Sequence, residues 1–247
     1  MTGATAGLGR EFCWELAARR HDLVLVARDQ ERLEKLAEIL WQVGQVKAEV
    51  LPVDLATESG VQKVVERLQQ SHQPVGLLVN NAGFGQGQPF METTVADQQR
   101  ALDVMVRAVL ETSHAAARVM RDRGYGAILN VSSVAADTGM GTYSAHKSWV
   151  RAFTEGLANE LKGTRVTATA VMPGLMHTEF HARSGQDFDL PEWAWMDAAV
   201  VADRALDAVA RGKVLYTPGV VYKAAAAALK LAPRSLVREI VGRMPHT

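Results

Sequence analysis

Short apolar runs alternate with longer stretches of helical periodicity along most of the chain. Leu23-Val-Leu-Val-Ala27 has the pattern of a strand buried on both faces, and Asp29 is placed to cap a helix running to about Trp41. Val46 to Val53 reads as the next strand, Glu58 to Gln70 as a helix, and Val75-Gly-Leu-Leu-Val79 as a strand ending in Asn80-Asn-Ala-Gly83. A long helix is predicted over Ala96 to Arg121, a strand over Ala127 to Val131 that delivers Ser132 and Ser133, and a helix over Thr142 to Leu161. A strand over Arg165 to Val171 stops at Pro173-Gly174, and Val214-Leu-Tyr216 forms a last short one.

Alternation of this kind builds a parallel sheet with helices on both faces, joined by right-handed crossovers. The fold class expected is therefore α/β, a doubly wound parallel sheet in a single domain over residues 1–247, with neither an internal repeat nor a linker-like stretch to divide it. Ligands in such folds bind beyond the carboxyl ends of the strands. Arg28, Asp54, Asn80 to Gly83, Ser133 and Pro173-Gly174 all fall at such ends. Thr2-Gly-Ala-Thr-Ala-Gly-Leu-Gly9 is a glycine-rich turn entering a helix from about Leu8 to Arg20, which suits phosphate binding. A strand should feed that turn, yet only Met1 precedes it. Without it, neighbouring strands would carry unpaired backbone groups in a buried place, so the expectation is a true start some way upstream.

Composition narrows the function classes. The 27 basic and 27 acidic residues cancel, so no overall field recruits nucleic acid or an anionic membrane. A lone cysteine, Cys13, forbids an internal disulfide and fits the cytoplasm. No apolar run is long enough for a membrane span. His177-Thr-Glu-Phe-His181 places two histidines four apart around Glu179, but no further ligands stand at recognisable spacing, and no metal is assigned.

The most informative pair is Tyr143 and Lys147, which share one face of a helix and can converge on a small volume. A free tyrosine ionises near pH ~10, so proton transfer near neutrality needs about 4 kcal/mol of preferential phenolate stabilisation, much of which a fixed ammonium can supply. Taken alone, such spacing is more often a core ring beside a solvated charge.

Together, Thr2-Gly-x-x-x-Gly-x-Gly9, Asn80-Asn-Ala-Gly83, Ser133, Tyr143-x-x-x-Lys147 and Pro173-Gly174 through Thr178 resemble the classical short-chain dehydrogenase/reductase family. The resemblance covers roughly residues 1 to 180 and implies a Rossmann-type fold with a nicotinamide cofactor across the strand ends. It implies cofactor contacts from Gly3, Thr5, Ala6, Gly7 and Leu8 in the turn, from Asp54, Asn81 and Gly83 on the adenosine side, and from Thr178, Tyr143 and Lys147 near the nicotinamide. It also implies that Tyr143 exchanges a proton with a carbonyl or alcohol oxygen, that Lys147 lowers the tyrosine pKa, and that Ser133 orients the substrate, with Ser132 as the alternative. Arg28 stands beside the adenosine ribose, where a guanidinium pairs with a 2′-phosphate, so NADP(H) is favoured over NAD(H), with an inward turn of Asp29 as the competing arrangement.

Two departures stand out against the family pattern. Ser133 precedes Tyr143 by ten residues, a shorter loop than usual, and Met105 occupies the place of an asparagine that binds a relay water. The thioether is only a weak acceptor, so proton resupply to Tyr143 is expected to be slowed or rerouted. The implied reaction is interconversion of a carbonyl and a primary or secondary alcohol; the alternative is an impaired nucleotide-binding relative serving as a sensor or partner subunit. Phe180, Phe188, Leu190, Trp193, Trp195 and Met196 make the segment 179–199 apolar, which suggests either a substrate loop for hydrophobic or acyl-type compounds or ordinary loop packing. Residues 220–244 form a basic amphipathic segment that can cover the substrate cleft, lie on a membrane surface or meet another subunit; Pro233 and the alanine run weigh against the membrane. The resemblance also implies a homodimer or homotetramer through the helices around 96–120 and 142–161.

Overall fold

The computed structural model describes residues 1–179 and 191–241. Along the chain lie α1 (Gly7–Ala18), β1 (Leu23–Ala27), α2 (Gln30–Gly44), β2 (Ala48–Pro52), α3 (Glu58–Gln69), β3 (Leu77–Asn80), α4 (Val95–Leu102), α5 (Ala108–Arg123) and β4 (Gly126–Val131). Then come α6 (Gly141–Glu160), β5 (Val166–Val171), α7 (Ala198–Ala210), β6 (Leu215–Tyr216), α8 (Val220–Leu231) and α9 (Arg234–Val241). Helix starts carry the expected chemistry: the Asp29 carboxylate accepts from Arg32 N at 3.0 Å, Thr57 accepts from Gly60 N at 3.1 Å, and Thr94 with Asp97 forms a capping box.

Among the described residues every strand pairing is parallel, β1 with β2 and β3-β4-β5-β6 side by side, the arrangement that alternating strands and helices dictate. Between the two groups run Met1 to Gly3. Gly3 N donates to Val26 O at 2.8 Å, Val26 N donates to Met1 O at 2.9 Å, and Thr2 N donates to Val79 O at 3.0 Å. Three residues thus supply, at the carboxyl end of the sheet, pairing that no predicted strand was available to make. The Thr2 hydroxyl strengthens the join by accepting from Asn81 N and Ala82 N at 3.0 and 3.1 Å while donating to Val79 O.

Two apolar clusters cover the two faces of the sheet. One contains Phe12, Leu33, Leu40, Val201 and Leu206 from α1, α2 and α7; the other contains Val61, Val64, Val104 and Met120 from α3, the α4–α5 region and the turn between them. Adjacent Ile128 and Leu129 of β4 point to opposite clusters, which is why the buried strands read as continuous apolar runs. A network of buried polar groups crosses the second face: Asn80 donates to Asn130 and Ser113 and accepts from Thr112, and Asn130 donates to Thr154. Each amide is satisfied, so the network ties β3, β4, α5 and α6 together without an orphaned group.

The predicted single helix over Ala96 to Arg121 is interrupted by a π-helical turn, Asp103–Arg107, between α4 and α5. Val104 and Met105 of that turn are both buried and continue the apolar stripe of Ala101, Ala108 and Val109. Within the basic tail the described residues form two helices separated at Pro233, which cannot continue the α8 hydrogen-bond ladder, and residues 242–244 lie outside the described residues. The segment 179–199 ends differently from expectation too: Glu192–Ala194 form a 3-10 turn, and α7, which the periodicity reading missed, starts at Ala198 with Asp197 as its cap. Phe180, Phe188, Leu190 and His181 lie outside the described residues.

Candidate active site

A cavity of about 1020 Å³ runs along the carboxyl ends of the strands. Gly3, Thr5, Ala6, Gly7, Leu8, Arg28, Asp54, Asn81, Gly83, Ser133, Tyr143, Lys147 and Thr178 all line it, so the fold gathers every site residue taken from the sequence around one space. The glycine-rich turn lies at one side. α1 begins at Gly7 with no side-chain cap at Ala6 and no acidic residue in its first turn, which leaves its opening N–H groups and dipole for an anion. A Cβ on Gly9 would sit 2.0 Å from Gly3 O, so only glycine allows the helix to start this close to the turn. Asn81 holds the same turn from below, its side-chain amide donating to Thr2 O and Gly3 O at 3.2 and 3.4 Å, while Thr178 packs over Gly7. This cradle fits the pyrophosphate of a dinucleotide cofactor.

Beyond β1 and β2 the cavity is rich in guanidinium groups. Arg28 follows β1 directly; Asp29 beside it is engaged as the α2 cap. Two arginines that the sequence reading passed over also line this end. Arg32 donates to Thr5 O at 2.9 Å and to Glu179 Oε1 at 3.0 Å, and Arg100 donates to Asp54 Oδ2 at 2.7 Å. Burial works against the Asp54 carboxylate, but Ala56 N–H, Arg100 and the charge of Arg28 outweigh it and hold the group below the usual carboxylate range. Arg32 is four residues from Arg28 on a helix start, a spacing visible in the sequence; Arg100 gave no local signal.

The reacting groups meet where β4 and α6 converge. Ser133, at the end of β4, caps the short 3-10 turn Val134–Asp137 by accepting from Ala135 N at 3.1 Å, and it hydrogen-bonds Tyr143. The shortened loop therefore still brings the serine to the tyrosine. Ser132 points the other way and donates to Lys147 O at 2.7 Å, which removes it as the alternative orienting residue. Lys147 Nζ donates to Val131 O at 2.8 Å and lies 5.6 Å from the centre of the Tyr143 ring. Burial pushes the Tyr143 phenol up to about 12, with the Ser133 bond pulling the other way, and burial lowers Lys147 to about 8. Met105 is buried beside this group: a Cβ on Gly83 would lie 3.4 Å from its sulfur and 3.3 Å from Lys147 Nζ.

The remaining end of the cavity is apolar, with Val134, Met140, Leu175, Met176, Tyr222, Ala226 and Leu229 on its walls. α8 therefore covers the cleft, one of the roles left open for the basic tail. His177 stacks on Trp195 with ring centres 4.1 Å apart and approaches Glu192 at 3.4 Å.

Comparison with known proteins agrees with this geometry. The family model described as short chain dehydrogenase matches residues 1–188. Sulfoacetaldehyde reductase 2 of Chromohalobacter salexigens is 37% identical over 193 residues, 76% of each chain. A short-chain dehydrogenase from Sphingobium yanoikuyae in complex with NADPH superposes with a TM-score of 0.86 at 34% identity, covering 96% of this chain and 93% of the other. The bulky-bulky ketone specific alcohol dehydrogenase from Comamonas testosteroni gives a TM-score of 0.80 at 28% identity, covering 95% and 94%.

Proposed function

The chain belongs to the short-chain dehydrogenase/reductase family, and from that premise we propose that it is an NADP(H)-dependent oxidoreductase interconverting an apolar or acyl-type carbonyl compound and its primary or secondary alcohol. A bound nicotinamide supplies or accepts the hydride. Tyr143, protonated across the neutral range because burial raises its pKa, donates the proton to the carbonyl oxygen, and Ser133 donates a second hydrogen bond that orients that oxygen. The Lys147 ammonium stabilises negative charge developing at the phenol as the proton leaves.

The observation that carries the cofactor reading is Arg28 at the end of β1 with Asp29 engaged in capping α2, an arrangement suited to a 2′-phosphate and poor for two ribose hydroxyls. The Sphingobium relative, in complex with NADPH, points the same way. For the substrate, a sulfonated aldehyde of the kind that the Chromohalobacter relative is named for would want a cation at the apolar end. Among the described residues, the cations lining the cavity are Arg28, Arg32 and Arg100, around Asp54 and the glycine turn, and Lys147; an uncharged carbonyl compound fits better. Leu110, exposed on α5, and the stacked Trp149 and Phe153 on α6 support a homo-oligomer through these helices. A cytoplasmic setting fits the single, buried Cys13, and among the described residues no helix is long and apolar enough to cross a membrane.

Titrating the protein with NADPH and NADH, then following cofactor absorbance with a panel of aldehydes and ketones, tests the reading. Arg28→Ala should weaken NADPH by roughly tenfold or more and leave NADH unchanged, since it removes a charge-assisted pair. Tyr143→Phe should lower turnover by about 10²-fold or more while NADPH still binds. Preference for NADH in the unaltered protein would overturn the cofactor assignment.

A further inference from the structure

Tyr222 of α8 packs on the chain just beyond β5. A Cβ on Gly174 would fall 2.1 Å from the Tyr222 ring, so the ring lies flat against the backbone immediately after β5 and tolerates nothing larger than glycine there. The Tyr222 hydroxyl accepts from Leu175 N at 3.1 Å and donates to Ala194 O at 2.6 Å. Those two groups belong to separate backbone segments on either side of residues 180–190. Two residues beyond Ala194, Met196 N donates to Leu175 O at 2.8 Å, and Met176 and Met196 form a parallel bridge. The hydroxyl therefore closes a short two-segment neck that the bridge continues. Burial raises the Tyr222 pKa, which keeps the donated proton in place through the working pH range.

The same helix faces the reacting groups. Tyr222, Ala226 and Leu229 stand at i, i+4 and i+7, share one face and line the cavity, and α8 packs on the 3-10 turn Val134–Asp137 that starts from Ser133. We propose that Tyr222 is a positioning residue for the substrate end: its hydroxyl pins Leu175 to Ala194, and its helix supplies the wall, centred on Ala226, that takes the apolar part of a carbonyl substrate. The wall rests on the carbonyl-reductase reading above; the pin does not. The small side chain at 226 sets how much bulk the wall accepts, and the neck sets where the wall stands relative to Tyr143.

The full-length protein with NADPH as cofactor tests both halves, using propanal as a small carbonyl, propiophenone as a bulky one, and hydrogen exchange of the amides at 175 and 196. Tyr222→Phe keeps the ring on Gly174 and removes the pin. It should speed exchange at Leu175 about tenfold and raise KM for propiophenone about tenfold, with kcat changed less than about threefold and NADPH affinity retained. Gly174→Ala reaches the same contact from the other side and should speed exchange likewise. Ala226→Phe should raise KM for propiophenone about tenfold and leave propanal unchanged. Unchanged exchange at Leu175 in Tyr222→Phe would overturn the pin, and equal losses for the two carbonyls in Ala226→Phe would overturn the wall. Should the unaltered protein reduce neither these nor any other carbonyl, the wall falls with the functional reading, and exchange at Leu175 alone still decides the pin.

Discussion

Lys147 is where burial and chemistry pull hardest against each other. Its ammonium is needed beside Tyr143, yet the side chain is 4% exposed and its pKa is lowered to about 8. An unfolded lysine titrates near ~10.4, so between those two values the unfolded chain binds more protons than the folded one. Stability contributed by this group must therefore rise with pH across that window, by up to ~1.4 kcal/mol per pH unit, and stay constant below it. Urea unfolding of the cofactor-free protein, compared with Lys147→Met from pH 7 to 10, should show that rise in the unaltered chain alone; a parallel pair of curves would sink the assignment. Tyr143 and Lys147 were legible from their place among ordered motifs that resemble a known family, but the size and direction of their pKa displacements were not, because they depend on how completely the neighbouring elements exclude water.

At the scale of elements, the π-helical turn between α4 and α5 matters most for the site. It carries Met105 into the second apolar cluster and against the space shared by Gly83 and Lys147. A thioether there keeps the ammonium dry and offers almost no hydrogen-bonding capacity for a water chain. Met105→Asn should rehydrate Lys147, raising its pKa, so the limb over which carbonyl reduction declines above about pH 8 should move to higher pH, with kcat increased several-fold if proton resupply limits the rate. A pH–rate profile that superposes on that of the unaltered enzyme would show that the thioether does not restrict the proton path. The residue was noticeable in the sequence; the π-helical turn that carries it was not, since a continuous amphipathic pattern hides one inserted residue.

For the molecule as a whole, the join between the two groups of strands rests heavily on Thr2. Its hydroxyl makes three hydrogen bonds, two of them from the Asn81 and Ala82 amides that border the cofactor cavity. Thr2→Val preserves shape but strands those amides, and should cost roughly 2 kcal/mol in urea unfolding and weaken NADPH binding, whereas Thr2→Ser should retain most of both. The layered parallel α/β fold and the strand-end location of the site were determined by the sequence itself, because buried strands follow from local periodicity and residue type, and the Ser133, Tyr143 and Lys147 set followed from ordered motifs that resemble a known family. Tertiary structure alone decided that Ser133 rather than Ser132 faces the tyrosine, that Arg32 and Arg100 join the cofactor end, and that Tyr222 closes the far side. Each of those depends on contacts between residues distant in the chain, where a hydroxyl or guanidinium takes its role from the partner that folding brings to it.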